Sequence, residues 1–256
     1  MAHFTELEPI CSERTCRRLI YRNELKDIKP FMLRRYVRIN HNKKSEINPS
    51  PRRNAQIKLI LGRTYTDYQL YRESHKDCNI VQLDSVIGTI HDEKAILTIT
   101  LVNYGFQFGL LIKKGDPSSV NNQFRKLFKT LGENLTNKVF AICLADNGTE
   151  FDLLPNLENL GSIKFYYTRT YKSSDKPECE RFHEYLRYIY PKGKSLDDLT
   201  QKDLDDSYSN INNFIRESKD NKTPYQMVLE AFGKDFLDKI NIKFINVKNI
   251  KLLAKI

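Results

Sequence analysis

Long apolar runs are missing from this sequence. No stretch approaches the ~18 consecutive apolar residues that a membrane-spanning helix needs, so the chain does not read as an integral membrane protein. Residues 1–10 carry Glu6 and Glu8 and no apolar core, so no signal peptide is read there. Cysteine is scarce. Cys11, Cys16, Cys78, Cys143 and Cys179 are odd in number and scattered. This argues against a disulfide scaffold and predicts a reduced, cytoplasmic setting. Cys11 and Cys16 have no second pair to complete a zinc site. Internal repeats and low-complexity segments are also absent. What is present, 256 residues at 40% hydrophobic and 29% charged, suits one ordinary domain with a real core plus a smaller appendage.

Charge is unevenly distributed. The formal net charge is +10, and residues 1–76 hold 17 Lys/Arg against 8 Asp/Glu, leaving 25 against 24 for the rest. A local positive field of this kind attracts polyanions, nucleic acid first among them. Ser12 stands where an N-cap belongs, and Cys16, Leu19 and Ile20 follow at helical spacing, with Arg14, Arg17, Arg18 and Arg22 on the remaining faces. A short basic helix of this type fits the major groove, although any surface helix with a basic face has the same pattern. Residues 40–54 are polar, contain Arg52 and Arg53, and are broken by two prolines, which reads as a basic linker.

From Asn79 the texture changes. Ile80 to Ile87 is a nearly continuous apolar run, as expected for a central strand buried on both faces. Ala95 to Val102 and Phe106 to Ile112 predict two more strands joined by the turn at 103–105. Phe124, Leu127, Phe128 and Leu131 predict a helix that ends at Gly132. Val139 to Ala145 and Ile163 to Tyr167 read as strands four and five. Three helices follow, starting near Pro177, at the capping box Thr200–Asp203 and at Thr223–Pro224. The second of these is expected to bury Leu204, Tyr208, Ile211 and Ile215. The order of elements indicates an α/β sheet with flanking helices.

Three acids stand out against this frame. Asp84 lies inside an apolar strand, where a carboxylate is costly to bury unless paired. Asp146 follows the fourth strand and precedes the sharp turn Asn147-Gly148, at the strand edge where open α/β sheets place ligands. Glu180 shares a helix face with His183, Glu184 and Arg187. Taken singly, each acid reads as a structural residue and the helix face as a solvated one. Taken together, two aspartates on adjacent strands and a glutamate on a flanking helix can converge on hard divalent ions such as Mg2+. Two such ions activate water or a 3′-hydroxyl at phosphorus, a reaction whose polyanionic substrate the basic third of the chain could hold.

The segments LDSVIG (83–88), ADNGTEF (145–151) and ECERFHEYLRYIYPKG (178–193) resemble the integrase-core signatures of bacterial insertion-sequence transposases of the IS-thirty family. Asp146 and Glu180 are separated by 33 residues, an interval common in DDE triads, and further likenesses run over 62–71 and 199–228. The resemblance implies a ribonuclease-H-like core, a five-stranded mixed sheet with flanking helices, preceded by a short basic helical segment. It implies catalytic metal ligands at Asp84, Asp146 and Glu180, with two Mg2+ ions for which Mn2+ substitutes. Asn147, Gly148, His183, Glu184 and Arg187 would support them, Arg187 as a phosphate contact. Arg14, Arg17, Arg18, Arg22, Arg52 and Arg53 would hold double-stranded DNA, with a homo-oligomer assembling on it and no membrane partner. The implied division is 1–38 as a partial helix-turn-helix segment, 39–76 as a basic linker, 77–230 as the catalytic core and 231–256 as a C-terminal tail. Lys176-Pro177, Arg181 and Phe214-Ile215 depart from the family pattern, and part of the helix-turn-helix is expected to be missing before Ser12. Three readings stay open at this stage: an active transposase, a DNA-binding remnant, and a stand-alone nuclease on the same fold.

Overall fold

The structure, a computed structural model, describes Thr15, Arg18, Leu19 and residues 60–169, 175, 177–216 and 219–250, without the side chains of 177–181 and 247. The chain divides into two units, Met1–Ile47 and Asn48–Ile256. In the first, Thr15, Arg18 and Leu19 are helical, and Arg18 is exposed. Arg14, Arg17, Arg22, Arg52, Arg53, Cys11 and Cys16 lie outside the described residues.

The second unit is organised by a five-stranded mixed sheet: β1 (Ile80–Val86), β2 (Lys94–Leu101), β3 (Phe106–Lys113), β4 (Ile142–Ala145) and β5 (Lys164–Tyr167). The spatial order is β3-β2-β1-β4-β5. β1, β2 and β3 pair antiparallel as a meander, whereas β4 and β5 run parallel to β1. The turn after β2 is tight because Gly105 takes a φ of 56°, a left-handed conformation that glycine adopts without steric penalty. This is the ribonuclease-H-like α/β core, with helices on both faces.

Side chains alternate across a strand, and directly paired residues share a face, so the register sorts the sheet into two unlike sides. One is apolar. It carries Val81 and Leu83, Leu97, Ile99 and Leu101, Phe106 and Phe108, Cys143, and Phe165, all buried. Helix α2 (Pro117–Leu131) covers it and sets Phe124 against Phe140 and Phe165. α3 (Glu133–Val139) follows, and α6 (Pro224–Lys239) brings Phe236 onto Phe108. Each fully buried Leu, Ile or Phe here contributes about 2 kcal/mol, which makes this side the main source of stability.

The opposite side is polar toward its centre. Gln82, Thr98, Thr100 and Gln107 are buried there, and Gln107 donates to Thr100 Oγ1 at 2.7 Å. α4 (Pro177–Ile189) packs on β1 and β2, and α5 (Gln201–Asn212) packs on β3. The helix over β3 lies close because Gly109 has no side chain: a Cβ there would stand 2.6 Å from the Tyr208 ring. Asn212 and the Gln107 main chain exchange two hydrogen bonds, at 3.0 and 2.7 Å.

Several boundaries differ from those expected. Residues 65–74, assigned to a linker, form α1 (Tyr65–Ser74), capped by Thr64 and Asp67 and packed through Tyr68 onto Tyr166 of β5. Residues 231–239, assigned to a tail, continue α6 past a kink at Gly233, and residues 231–242 bury Phe232, Phe236, Leu237, Ile240 and Ile242 in the core. Their apolar spacing, rather than their place near the end of the chain, decides this. The fourth strand starts at Ile142, because Val139 closes α3. Ile215 is 41% exposed, because the helix ends at Asn212.

Candidate active site

The parallel pair β1 and β4 fixes the first relationship. Its register matches Ile80 with Ile142, Val81 with Cys143 and Gln82 with Leu144. Asp84 and Asp146 each lie two residues beyond the last of these pairs. Asp84 therefore lies inside β1 on the face that carries Gln82, and Asp146 directly follows the carboxyl end of β4, the neighbouring strand. The face is the polar one that α4 covers.

Each aspartate is held by the backbone beside it. Asp84 Oδ1 accepts from the Ser85 amide at 2.9 Å, and its side chain is 21% exposed, so water can still reach the carboxylate. Asp146 Oδ1 accepts from the Gly148 amide at 2.9 Å, closing a turn two residues on. Asn147 Nδ2 donates to the Thr168 carbonyl at 2.6 Å, which anchors this turn to the segment after β5. Gly148 has an ordinary extended conformation. A Cβ there would stand 2.6 Å from the Glu150 carboxylate and 3.0 Å from Asp146 Oδ1, so a larger residue would push on both side-chain ends.

α4 delivers the third part. Phe182, Leu186 and Ile189 are buried and set its rotation on the sheet. His183, three residues after Glu180, is thereby brought to Asp84. Thr98 has a single hydroxyl proton, and the Asp84 main-chain carbonyl, 3.1 Å away, can only accept it. The Thr98 oxygen consequently accepts from His183 Nε2, at 3.2 Å. The ring's Nδ1 then faces Asp84 Oδ2 at 3.8 Å, too far for a hydrogen bond. The backbone of Glu180 lies one turn before His183, and its side chain is outside the described residues. Glu184 is half-buried on the same helix.

Arg187 departs from the solvated face predicted for it. It is 7% exposed, and its guanidinium donates to the carbonyls of Ile87 at 3.0 Å and Tyr190 at 3.5 Å. Burial pushes its pKa down to about 10. Nearby, Gly193 N donates to the Gly88 carbonyl at 3.2 Å. Asp92 accepts from the amides of Thr89 and Leu196, both at 2.9 Å. Burial opposes ionisation of Asp92, but hydrogen bonds from Thr89, Leu196 and Ser195 prevail and hold its pKa far below the usual carboxylate range. The strand carrying Asp84 and the helix carrying Glu180 are thus joined behind the site.

The sequence reading missed Glu150. Its Oε1 accepts from Ser85 Oγ at 2.5 Å, tying the turn after Asp146 to the residue after Asp84. Among the described residues no three His, Cys, Asp or Glu side chains cluster closely enough to hold a metal ion. No helix among them is long and apolar enough to cross a membrane.

No protein-family model matches the chain. By sequence it is similar to a protein of Spiroplasma virus SpV1-R8A2 B named as an integrase, ORF3, with 22% identity over 136 residues, which cover 53% of this chain and 41% of that protein. It is also similar to a protein of Streptococcus salivarius named as the transposase for insertion-like sequence element IS1161, with 40% identity over 68 residues, 27% of this chain and 19% of that one. The chain thus spans less than half the length of the curated relatives it matches. Among solved structures, the catalytic core domain of BIV integrase aligns with 18% identity and a TM-score of 0.42 over 59% of this chain and 93% of that one. The HTLV-2 integrase catalytic core domain in complex with magnesium aligns with 16% identity and a TM-score of 0.42, over 57% and 93%.

Proposed function

We propose that this chain is a polynucleotidyl transferase acting on DNA, a DDE transposase of the IS-thirty kind that cleaves strands at element ends and joins them to a target. The observation that carries the proposal is the parallel pairing of β1 and β4, with Asp84 inside the first strand and Asp146 directly after the second. The two sequence relatives named as integrase and transposase support the same reading.

The donor set suits a hard divalent cation: oxygens only from the two aspartates, with partial exposure at Asp84 leaving room for water. Asp84, Asp146 and Glu180 are the residues that would hold it. When bound, Mg2+ supplies Lewis-acid stabilisation at phosphorus and a more acidic water or 3′-hydroxyl, and Mn2+ substitutes. The chain's own contribution is orientation. The Ser85 and Gly148 amides aim the two aspartates, and Thr98 fixes the His183 ring against Asp84. The basic residues Arg14, Arg17, Arg18, Arg22, Arg52 and Arg53 hold the duplex through its phosphates. Asn147, Glu184 and Arg187 act as supports, and copies of the chain assemble on DNA in the cytoplasm.

The test is nicking of supercoiled DNA by the full chain with Mg2+ or Mn2+. Metal-dependent nicking that Glu180→Gln abolishes is expected. No nicking with either metal would favour a DNA-binding remnant, and nicking without joining of a 3′-hydroxyl end would favour a stand-alone nuclease.

A further inference from the structure

Glu150 has no part in the chemistry described so far, yet it stands at the junction of the two aspartate-bearing strands. Ser85 follows Asp84 and Glu150 lies four residues after Asp146, so a contact between them closes a loop through both strand ends. The contact is the 2.5 Å bond from Ser85 Oγ to Glu150 Oε1, the length expected when a hydroxyl donates to a carboxylate. Ser85 also gives its amide to Asp84 Oδ1. One residue therefore orients Asp84 with its main chain and holds Glu150 with its side chain. In the turn after β4, Glu150 Oε2 and Asp146 Oδ1 both lie beside Gly148, 2.6 and 3.0 Å from where a Cβ would stand.

From this geometry we infer that Glu150 is a positioning residue: through Ser85 it clamps the turn after β4 to the tip of β1 and so sets the separation of Asp84 and Asp146. The parallel ladder ends at Gln82 and Leu144, before either aspartate, so the ladder alone does not fix the carboxylate ends. A charge-assisted hydrogen bond, three residues past Gln82 and six past Leu144, does. Its consequence is felt in divalent-cation affinity, since ligands held at one separation bind an ion without first being ordered. The inference rests on the metal-dependent reading proposed above.

The experiment is Mn2+ binding to the full chain without DNA, followed by calorimetry and by the shift in thermal midpoint. Ser85→Ala and Glu150→Ala are each expected to bind Mn2+ about tenfold more weakly. The double variant is expected to bind no more weakly than either single one, because both remove the same bond. Glu150→Gln, which keeps an acceptor oxygen for Ser85, recovers most of the affinity, and its midpoint without metal serves as the folding control. Unchanged affinity in Glu150→Ala, or losses that add in the double variant, would overturn the clamp. A wild-type chain that binds no Mn2+, or binds it equally well as Asp84→Asn, would instead overturn the metal-dependent reading itself.

Discussion

Arg187 Nη2 donates to the Ile87 carbonyl at 3.0 Å, joining the helix that carries Glu180 and His183 to the end of the strand that carries Asp84. The family resemblance implied a phosphate contact at Arg187. That side chain is buried, and its donors are directed at the protein's own backbone.

Two opposing effects decide what its removal does. Arg187→Met loses about 1 kcal/mol of hydrogen bonding but is relieved of the cost of burying a charge. Stability in a urea titration is expected to stay within about 1 kcal/mol of wild type. Metal-dependent nicking should nonetheless fall, because β1 and α4 lose a joint. A stability loss above about 3 kcal/mol would indicate that the charge is compensated in the fold rather than merely tolerated.

Gly88 is the second test of this joint. A Cβ at that position would fall on the Lys194 carbonyl oxygen and stand 2.5 Å from Asp92 Oδ2. Backbone cannot yield as a flexible side chain does, so Gly88→Ala is expected to cost about 1–3 kcal/mol. Chemical denaturation measures it, and a change below ~0.5 kcal/mol would show that the loop relaxes freely.

Alkaline pH provides a third. Burial pushes the Tyr166 and Tyr190 hydroxyls up to about 12. The unfolded chain releases these protons near pH 10, whereas the folded chain keeps them, so their stabilising effect is present below pH 10 and is lost as pH rises toward 12. Arg187, lowered to about 10, works in the opposite direction over the same range. The two tyrosines are expected to outweigh it. Denaturant midpoints at pH 9 and pH 11 should fall, and fall less in Tyr190→Phe. An ultraviolet titration should resolve a late-ionising class of tyrosines.

Binding to duplex DNA should weaken steeply with salt, with a slope of about −0.9 in log K against log salt for each phosphate neutralised. Replacing Arg14, Arg17, Arg18 and Arg22 with Gln should flatten that slope, as read by fluorescence anisotropy. A slope unchanged by the replacement would move the DNA contact elsewhere on the chain.

Much of the fold was legible because local signals carried it. The run at 80–87 has the texture of a buried strand, Gly105 and Gly132 stand where backbone reversals need them, and the Thr200–Asp203 box and Thr223-Pro224 mark helix starts. Thr64–Asp67 is a signal of the same kind, and it was hidden by the basic, linker-like residues before it. The adjacency of β1 and β4 was anticipated from one acid inside an apolar strand and another just after a strand, but their register is encoded by no local pattern. Glu150 was overlooked because its partner is 65 residues away, and Arg187 was misjudged because a polar helical position looks alike whether it meets water or a carbonyl.

The paired amide bonds between Asn212 and Gln107 have one more effect. Greasy surfaces let a cylinder roll or slide against its bed, whereas two directional bonds do not. Tyr190, just past α4, is in turn tied to Ser207 of α5 at 2.7 Å. The azimuth of the glutamate-bearing helix is accordingly inherited from the far edge of the sheet, three strands away from Asp146. Loosening that distant edge should detune the carboxylates without touching any of them.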